Sequence, residues 1–189
     1  MYQAILSHIY KHVSLDEEEE AFLTSQFNVT QLKRKEFLLR QGNTCQYIHF
    51  VNEGILRAYF LNPEGKETTV MFAVKDWWIT DMYCFTNQLP AMVSIQAVAP
   101  SQVLCLSKEK LDSLLTEIPK LERWFRVLMQ NAYIREQLRV IENLSQEAEE
   151  RYYTFLEKYP QIVPHVTQKQ IASYLGITPE FLSAIRAQK

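Results

Sequence analysis

Long apolar runs are missing from this 189-residue chain. None approaches the roughly 20 residues that a membrane-spanning helix needs. The start of the sequence carries no cationic-then-apolar signal segment, and the acidic run at 16–20 reads against secretion. A cytoplasmic location and no membrane partner are therefore expected. Cysteine is scarce: Cys45, Cys84 and Cys105 are odd in number, widely spaced and form no Cys-x-x-Cys pair. That pattern excludes a disulfide framework and a zinc site, and it leaves core packing as their role. An iron–sulfur centre would need about four clustered cysteines. His8, His12, His49 and His165 have no metal-ligand spacing, so neither a metal nor a cofactor is expected. A lone histidine on a strand, such as His49, reads as structurally satisfied. No nucleophile–base constellation is present. A cupin-like enzyme would need His and carboxylate ligands on neighbouring strands, and His49 alone does not supply them. An enzyme is not expected.

Internal repeats and low-complexity segments are also missing, as is a strong charge of either sign: the net charge is −2. What is present is apolar content of 47%, with 10 Tyr, 10 Phe and 3 Trp, enough for a substantial core. The length fits one large domain, or a medium one with a small companion. The charge is unevenly placed. From Arg151 onward, Arg151, Lys158, Lys169, Arg186 and Lys189 face only Glu157 and Glu180, leaving the tail near +3 and the remainder near −5. Phosphate contacts per copy would be few, and duplication in a dimer would double them.

Residues 2–27 read as helical, with Ser14 and Glu17 spaced as a capping box. From Val29 to Ser107 the texture changes to short β-rich runs at 37–39, 47–50, 55–61, 68–74, 94–98 and 103–106. Turn residues separate them, as in Gln41-Gly42-Asn43, Asn52-Glu53-Gly54, Asn62-Pro63-Glu64-Gly65 and Ala99-Pro100-Ser101. Many short strands divided by Gly or Pro indicate an antiparallel barrel or jelly roll. After Ser107 the period becomes helical. A short helix at about 108–117 stops at Pro119, and a long one runs to about Leu144. In the long helix Val127, Ile134, Leu138 and Ile141 form a seam of roughly two heptads, expected to pair two copies. Leu121, Trp124, Phe125 and Leu128 form a second apolar face, suited to packing back on the barrel. A third helix near 146–159 ends at Pro160, before a loop containing Pro164.

The final stretch is the most specific. Thr167 with Gln170 is a capping box; Ile171 and Leu175 share a face, with small Ala172 beside them. Gly176 supplies the positive φ that turns the chain. Thr178 caps a second helix, with Pro179 at its first position. Leu182 and Ile185 bury that helix, which leaves Glu180, Phe181, Ser183, Ala184 and Arg186 outward. This is the plan of a DNA-reading helix-turn-helix, although two amphipathic helices joined by glycine also occur in helical proteins that never touch DNA.

The order of helix, small barrel, long helix and closing helix-turn-helix resembles the Crp/Fnr family of bacterial transcription regulators over nearly the whole chain. Gly42-Asn43-Thr44, the hairpin at 52–57, the turn at 62–67, Asp76-Trp77-Trp78-Ile79 and the stretch 168–186 carry the resemblance. The Trp-Trp-Ile wording and short length look like the branch common in Bacteroidetes. The resemblance implies an α+β fold in three parts. Residues 1–118 would form a cyclic-nucleotide-binding-type barrel with N-terminal helices, 119–144 a dimerisation helix, and 145–189 a small winged-helix-like DNA-binding domain. It also implies a homodimer on double-stranded DNA, a small-molecule effector that swings the DNA-binding domains, and RNA polymerase as a further partner.

The chain departs from the family in three places. Members that bind cyclic AMP cradle its phosphate with a Gly-Glu pair and, further on, an Arg-Ser pair. The corresponding stretch here comprises Ile79, Thr80, Asp81, Met82, Tyr83, Ala91, Met92 and Val93, and the Arg-Ser positions fall on about Ala91-Met92. A buried phosphate without its cation is poorly compensated, so cyclic AMP is not expected. This pocket either takes another small molecule or is closed by Met82, Tyr83, Phe85 and Met92. In the second helix of the motif Glu180 is kept, but Pro179 and Ala184 replace the residues that usually read a guanine-rich half-site. Glu180 suits a cytosine amine and Arg186 a guanine or a phosphate. Phosphate contacts are expected from Thr167, Gln168, Lys169, Thr178, Ser183 and Lys189, with Phe181 also on the DNA-facing side. The sequence stops at this helix, so the usual wing is expected to be absent or placed upstream. The alternative reading is a ligand-sensing or protein-interaction module with a degenerate helix-turn-helix.

Overall fold

The computed structural model describes residues 1–187. Two short helices lead the chain, α1 (Gln3–Tyr10) and α2 (Glu17–Ser25), where sequence periodicity suggests one helical stretch. The break lies at the capping box, which forms two residues later than Ser14 and Glu17 would place it. Asp16 accepts the Glu19 N–H at 2.9 Å, and the Glu19 carboxylate accepts the Asp16 N–H at 2.8 Å. A charged acceptor makes the stronger cap. Glu19 also pairs with Lys120 at 2.5 Å, tying α2 to the start of the long helix.

Eight strands follow among the described residues: β1 (Asn28–Leu32), β2 (Phe37–Leu39), β3 (Tyr47–Glu53), β4 (Ile55–Leu61), β5 (Glu67–Val74), β6 (Trp78–Ile79), β7 (Ser94–Ala97) and β8 (Ser101–Ser107). A short helix, α3 (Met82–Asn87), interrupts them. They form two antiparallel sheets, ordered β1-β8-β3-β6 and β2-β7-β4-β5, which enclose one core as a jelly roll. β1 and β6 escape the sequence reading because each owes its form to its partner, β8 or β3, more than to its own alternation. Gly54, at φ +92°, makes the tight turn from β3 to β4; a Cβ there would collide with Ser101 Oγ and the Pro100 carbonyl.

The chain then turns helical: α4 (Lys108–Glu117), the long α5 (Leu121–Ser145), α6 (Ala148–Lys158), α7 (Gln168–Leu175) and α8 (Pro179–Ala187). The face of α5 carrying Leu121, Trp124, Phe125 and Leu128 packs on the barrel, with Trp124 only 1% exposed. Its ring meets Trp78 at 5.6 Å between centroids, and its Nε1–H donates to His8 Nδ1 at 3.2 Å. Deeper in the barrel, buried His49 places Nδ1 3.3 Å from Cys105 Sγ.

A second core joins the C-terminal helices to the barrel. Ile55, Phe72, Val74 and Val98, on the outside of the β4–β5 sheet, cluster with Phe155, Tyr159, Ile171 and Leu182. β5 is an edge strand, and α7 covers it through Ser173. The Ser173 hydroxyl accepts the Thr69 N–H at 2.8 Å and donates to the Glu67 carbonyl at 2.9 Å. One side chain thereby satisfies two backbone groups that an open edge would expose.

Two predictions follow. Burial favours neutral His49, so the folded chain resists its protonation until about pH 3, against 6.5 when unfolded. Stability contributed by neutral His49 is therefore complete above about pH 6.5 and declines as pH falls below it, by about 2 kcal/mol at pH 5. His8 adds to this decline, its pKa pushed down to about 4 by burial and then by Lys11. Urea unfolding at several pH values should show a shallower acid loss for His49→Gln than for wild type; equal losses would contradict the account. Separately, Ser173→Ala should weaken the seat of α7 by about 1–3 kcal/mol. Hydrogen exchange should then quicken at Thr69 and in α6 to α8 while β3 and β8 stay protected. Unchanged exchange at Thr69 would remove Ser173 from this role.

Candidate nucleic-acid interface and effector cavity

The helix-turn-helix is built by the caps that its sequence suggests. Thr167 Oγ1 accepts the Gln170 N–H at 3.2 Å, and Gln170 Oε1 accepts the Thr167 N–H at 2.9 Å. Gly176 takes φ +71°, and the Ile177 N–H reaches the Ala172 carbonyl at 3.0 Å across the turn. Thr178 Oγ1 accepts the Phe181 N–H at 3.1 Å, starting α8. Ile171, Ala172 and Leu175 of α7 and Leu182 and Ile185 of α8 are buried against one another and against α6.

That packing leaves Thr167, Gln168, Lys169, Thr178, Glu180, Phe181, Ser183, Ala184 and Arg186 exposed together. Lys189 lies outside the described residues. Two cations of the tail serve within the fold. Arg151 donates to the Gln146 carbonyl at 2.7 Å and the Leu175 carbonyl at 3.3 Å, and Lys158 sits 3.7 Å from Glu142. The cations on the outward surface of α7 and α8 are thus Lys169 and Arg186.

On α5 the seam residues are placed unequally. Val127 is half-buried, while Ile134, Leu138 and Ile141 are each about half exposed. Tyr133, Val140 and Leu144 are exposed beside them and widen the apolar strip beyond what the heptad pattern marks.

Between the barrel and the other side of α5 lies a cavity of about 630 Å³. Ile79, Thr80, Asp81, Met82, Met92 and Val93 line it, as the sequence suggests. Tyr83 and Ala91 do not. Tyr83 sits on the outer face of α3, 60% exposed, and Ala91 is packed in the core, its backbone bonded to Gly42 and Asn43. Nor is the space closed by packing, because Phe85 turns into the core instead. Other parts of the lining escaped sequence reasoning, among them Met71, Trp77 and Trp78 from the barrel, and Met129, Ala132 and Arg135 beside Leu128 on α5. Leu128 carried the available signal, as part of the apolar face suited to packing on the barrel; Met129 and Ala132 continue that side of α5.

Asp81, Thr80 and Arg135 of the lining are already engaged. Asp81 is buried, and its carboxylate accepts the Cys84 N–H at 3.2 Å, capping α3, and the Met92 N–H at 2.7 Å. Thr80 donates to the Tyr47 carbonyl at 2.9 Å. The Arg135 guanidinium lies over Trp77 at 4.8 Å and is 3.5 Å from Glu136, which also pairs with Arg139 at 3.0 Å. Among the described residues no group of three His, Cys, Asp or Glu could hold a metal ion. The three cysteines are free and buried, and burial pushes the Cys45 and Cys105 thiols up in pKa. That keeps them protonated and unreactive. Among the described residues no helix is long and apolar enough to cross a membrane.

Residues 29–117 match the model of the cyclic nucleotide-binding domain. Over 165 residues the chain is 27% identical to the transcriptional activator protein Anr of Pseudomonas protegens, covering 82% of this chain and 67% of that protein. It is 24% identical to the fumarate and nitrate reduction regulatory protein of Vibrio cholerae, covering 82% and 65%. The chain thus spans about two thirds of the length of these relatives. Among solved structures, FixK2 of Bradyrhizobium japonicum aligns with a TM-score of 0.74 at 16% identity, covering 86% of this chain and 83% of FixK2. A Eubacterium rectale structure assigned to the Crp/Fnr family aligns with a TM-score of 0.74 at 17% identity, covering 92% and 83%. Residues 29–117 thus carry a cyclic nucleotide-binding domain, and with the jelly roll, the long helix and the closing helix-turn-helix in this order the chain is similar to the transcription regulators of the Crp/Fnr family.

Proposed function

We propose that this chain works in the cytoplasm as a homodimer that binds double-stranded DNA through α7 and α8, with the cavity beside α5 as its effector site. The observation that carries the reading is the presentation of α8. Leu182 and Ile185 anchor it, Thr178 caps it, and Glu180, Phe181, Ser183 and Arg186 are exposed, as is Lys169 of α7. Arg186 and Lys169 supply the charge for phosphates or guanine, and the Phe181 ring suits a thymine methyl. Thr167 and Thr178 use one lone pair each in capping, which leaves their hydroxyl protons to donate to phosphate. So little charge per copy requires two copies, and the exposed strip from Ile134 to Leu144 suits a coiled-coil partner. Two recognition helices would then enter successive major grooves about one helical turn apart. RNA polymerase is the further partner we propose for an activator of this kind.

Binding to duplex DNA from upstream of its own coding sequence should weaken steeply as salt rises. Arg186→Ala should reduce the log–log slope by about one unit per subunit. A slope near zero would favour the alternative of a ligand- or protein-binding module with a degenerate helix-turn-helix. Leu138→Glu should turn the dimer into a monomer in sedimentation and lower DNA affinity by at least about tenfold, since half the phosphate contacts are lost. A Leu138→Glu dimer with full affinity would place the interface elsewhere.

A further inference from the structure

We propose that the cavity between the barrel and α5 takes an uncharged, largely apolar aromatic molecule, and not a nucleotide or other phosphate. This rests on reading the cavity as the effector site. Its volume, about 630 Å³, falls in the range of small-molecule sites. Trp77 and Trp78 offer flat aromatic surface, and Met71, Met82, Met92 and Met129 offer flexible, polarisable walls that adapt to an irregular apolar shape.

The electrostatics exclude the phosphate that the domain family's name suggests. The lining holds Asp76, Asp81 and Glu136 against one cation, Arg135. That cation is committed to Glu136 and to the face of Trp77. Asp81 is decisive. Its carboxylate takes the Cys84 and Met92 amide protons, so the donors nearest the cassette are occupied by the protein's own anion. An incoming phosphate would have to displace a buried carboxylate or sit beside it, and like charges at short range repel. An uncharged ring system meets neither cost, and Asn131 at the wall can take one polar substituent.

The test uses the full chain and three probes: neutral Nile red, the anionic dye anilinonaphthalene sulfonate, and cyclic AMP. Nile red fluorescence should saturate, with an affinity at least about tenfold above that of the sulfonate, and cyclic AMP should neither compete nor raise the melting midpoint. Ala132→Trp, which fills the cavity from α5, should abolish the Nile red signal. Met92→Arg substitutes an exposed residue at the cavity wall, 52% exposed, and so spares the core. It should shift the preference toward the sulfonate by about tenfold by pairing with Asp81. Binding of cyclic AMP or the sulfonate equal to that of Nile red, both lost in Ala132→Trp, would overturn the ligand class and keep the effector site. Nile red binding unchanged in Ala132→Trp would overturn the effector site itself, whatever the DNA titration shows.

Discussion

The seat of α5 on the barrel governs the rest of the molecule. Trp124, almost wholly buried, wedges its ring against Trp78 and donates its indole proton to His8, which burial keeps neutral and therefore able to accept. That contact fixes the rotation of a 25-residue helix. Once it is fixed, Leu128, Met129, Ala132 and Arg135 face the barrel and roof the cavity, while Ile134, Leu138 and Ile141 face away. A change of rotation at Trp124 would exchange material between the two faces, so cavity shape and the exposed apolar strip are set by one packing decision.

The C-terminal helices are held by a different kind of contact. Their apolar cluster with Phe72 and Ile55 is extensive, but the polar part of the seam is imperfect. Glu67 receives Ser173 on its carbonyl and Arg57 on its carboxylate, at 2.5 Å, with Arg57 only 2% exposed. Arg57 Nε and Thr69 Oγ1 are nonetheless buried with no hydrogen-bond partner among the described residues. Each such atom costs about 1–3 kcal/mol, which makes this seam less stable than its apolar contacts alone would suggest. Trp77 links it to the cavity: one side carries Arg135, and the ring edge meets Tyr159 at 6.1 Å.

How much of this was legible in the sequence depended on whether the signal was local. Caps and glycines speak for themselves, so Thr167 with Gln170, Gly176, and Thr178 before Pro179 announced α7 and α8. The two faces of α5 were readable from period alone. Choosing between Ser14 and Asp16 as cap was not, because both spacings fit and only the acceptor's charge separates them. β1 escaped because five residues gain strand form from β8. Half of the cavity wall escaped for the same reason: positions 128 to 135 approach 71 and 77–82 only through the tertiary fold. Ser173 looked like one more small polar residue of a helix, and its role as the cover of an open sheet edge has no sequence signature at all.

Asp81 shows why a family pattern has to be read through the geometry of the individual chain. In sequence, the missing Arg-Ser pair at Ala91-Met92 argues against cyclic AMP only by the lack of a cation. In the structure, the carboxylate of Asp81 bridges the first turn of α3 and the Met92 amide, so the region is organised around an internal anion. A cation added there would first pair with that carboxylate, which lessens the repulsion of an anion but leaves no net positive charge to hold a phosphate. Recovering phosphate binding would thus require removing Asp81 as well as supplying an arginine, and removing Asp81 would uncap α3. The apolar character of the cavity and the stability of the helix beside it therefore depend on the same side chain.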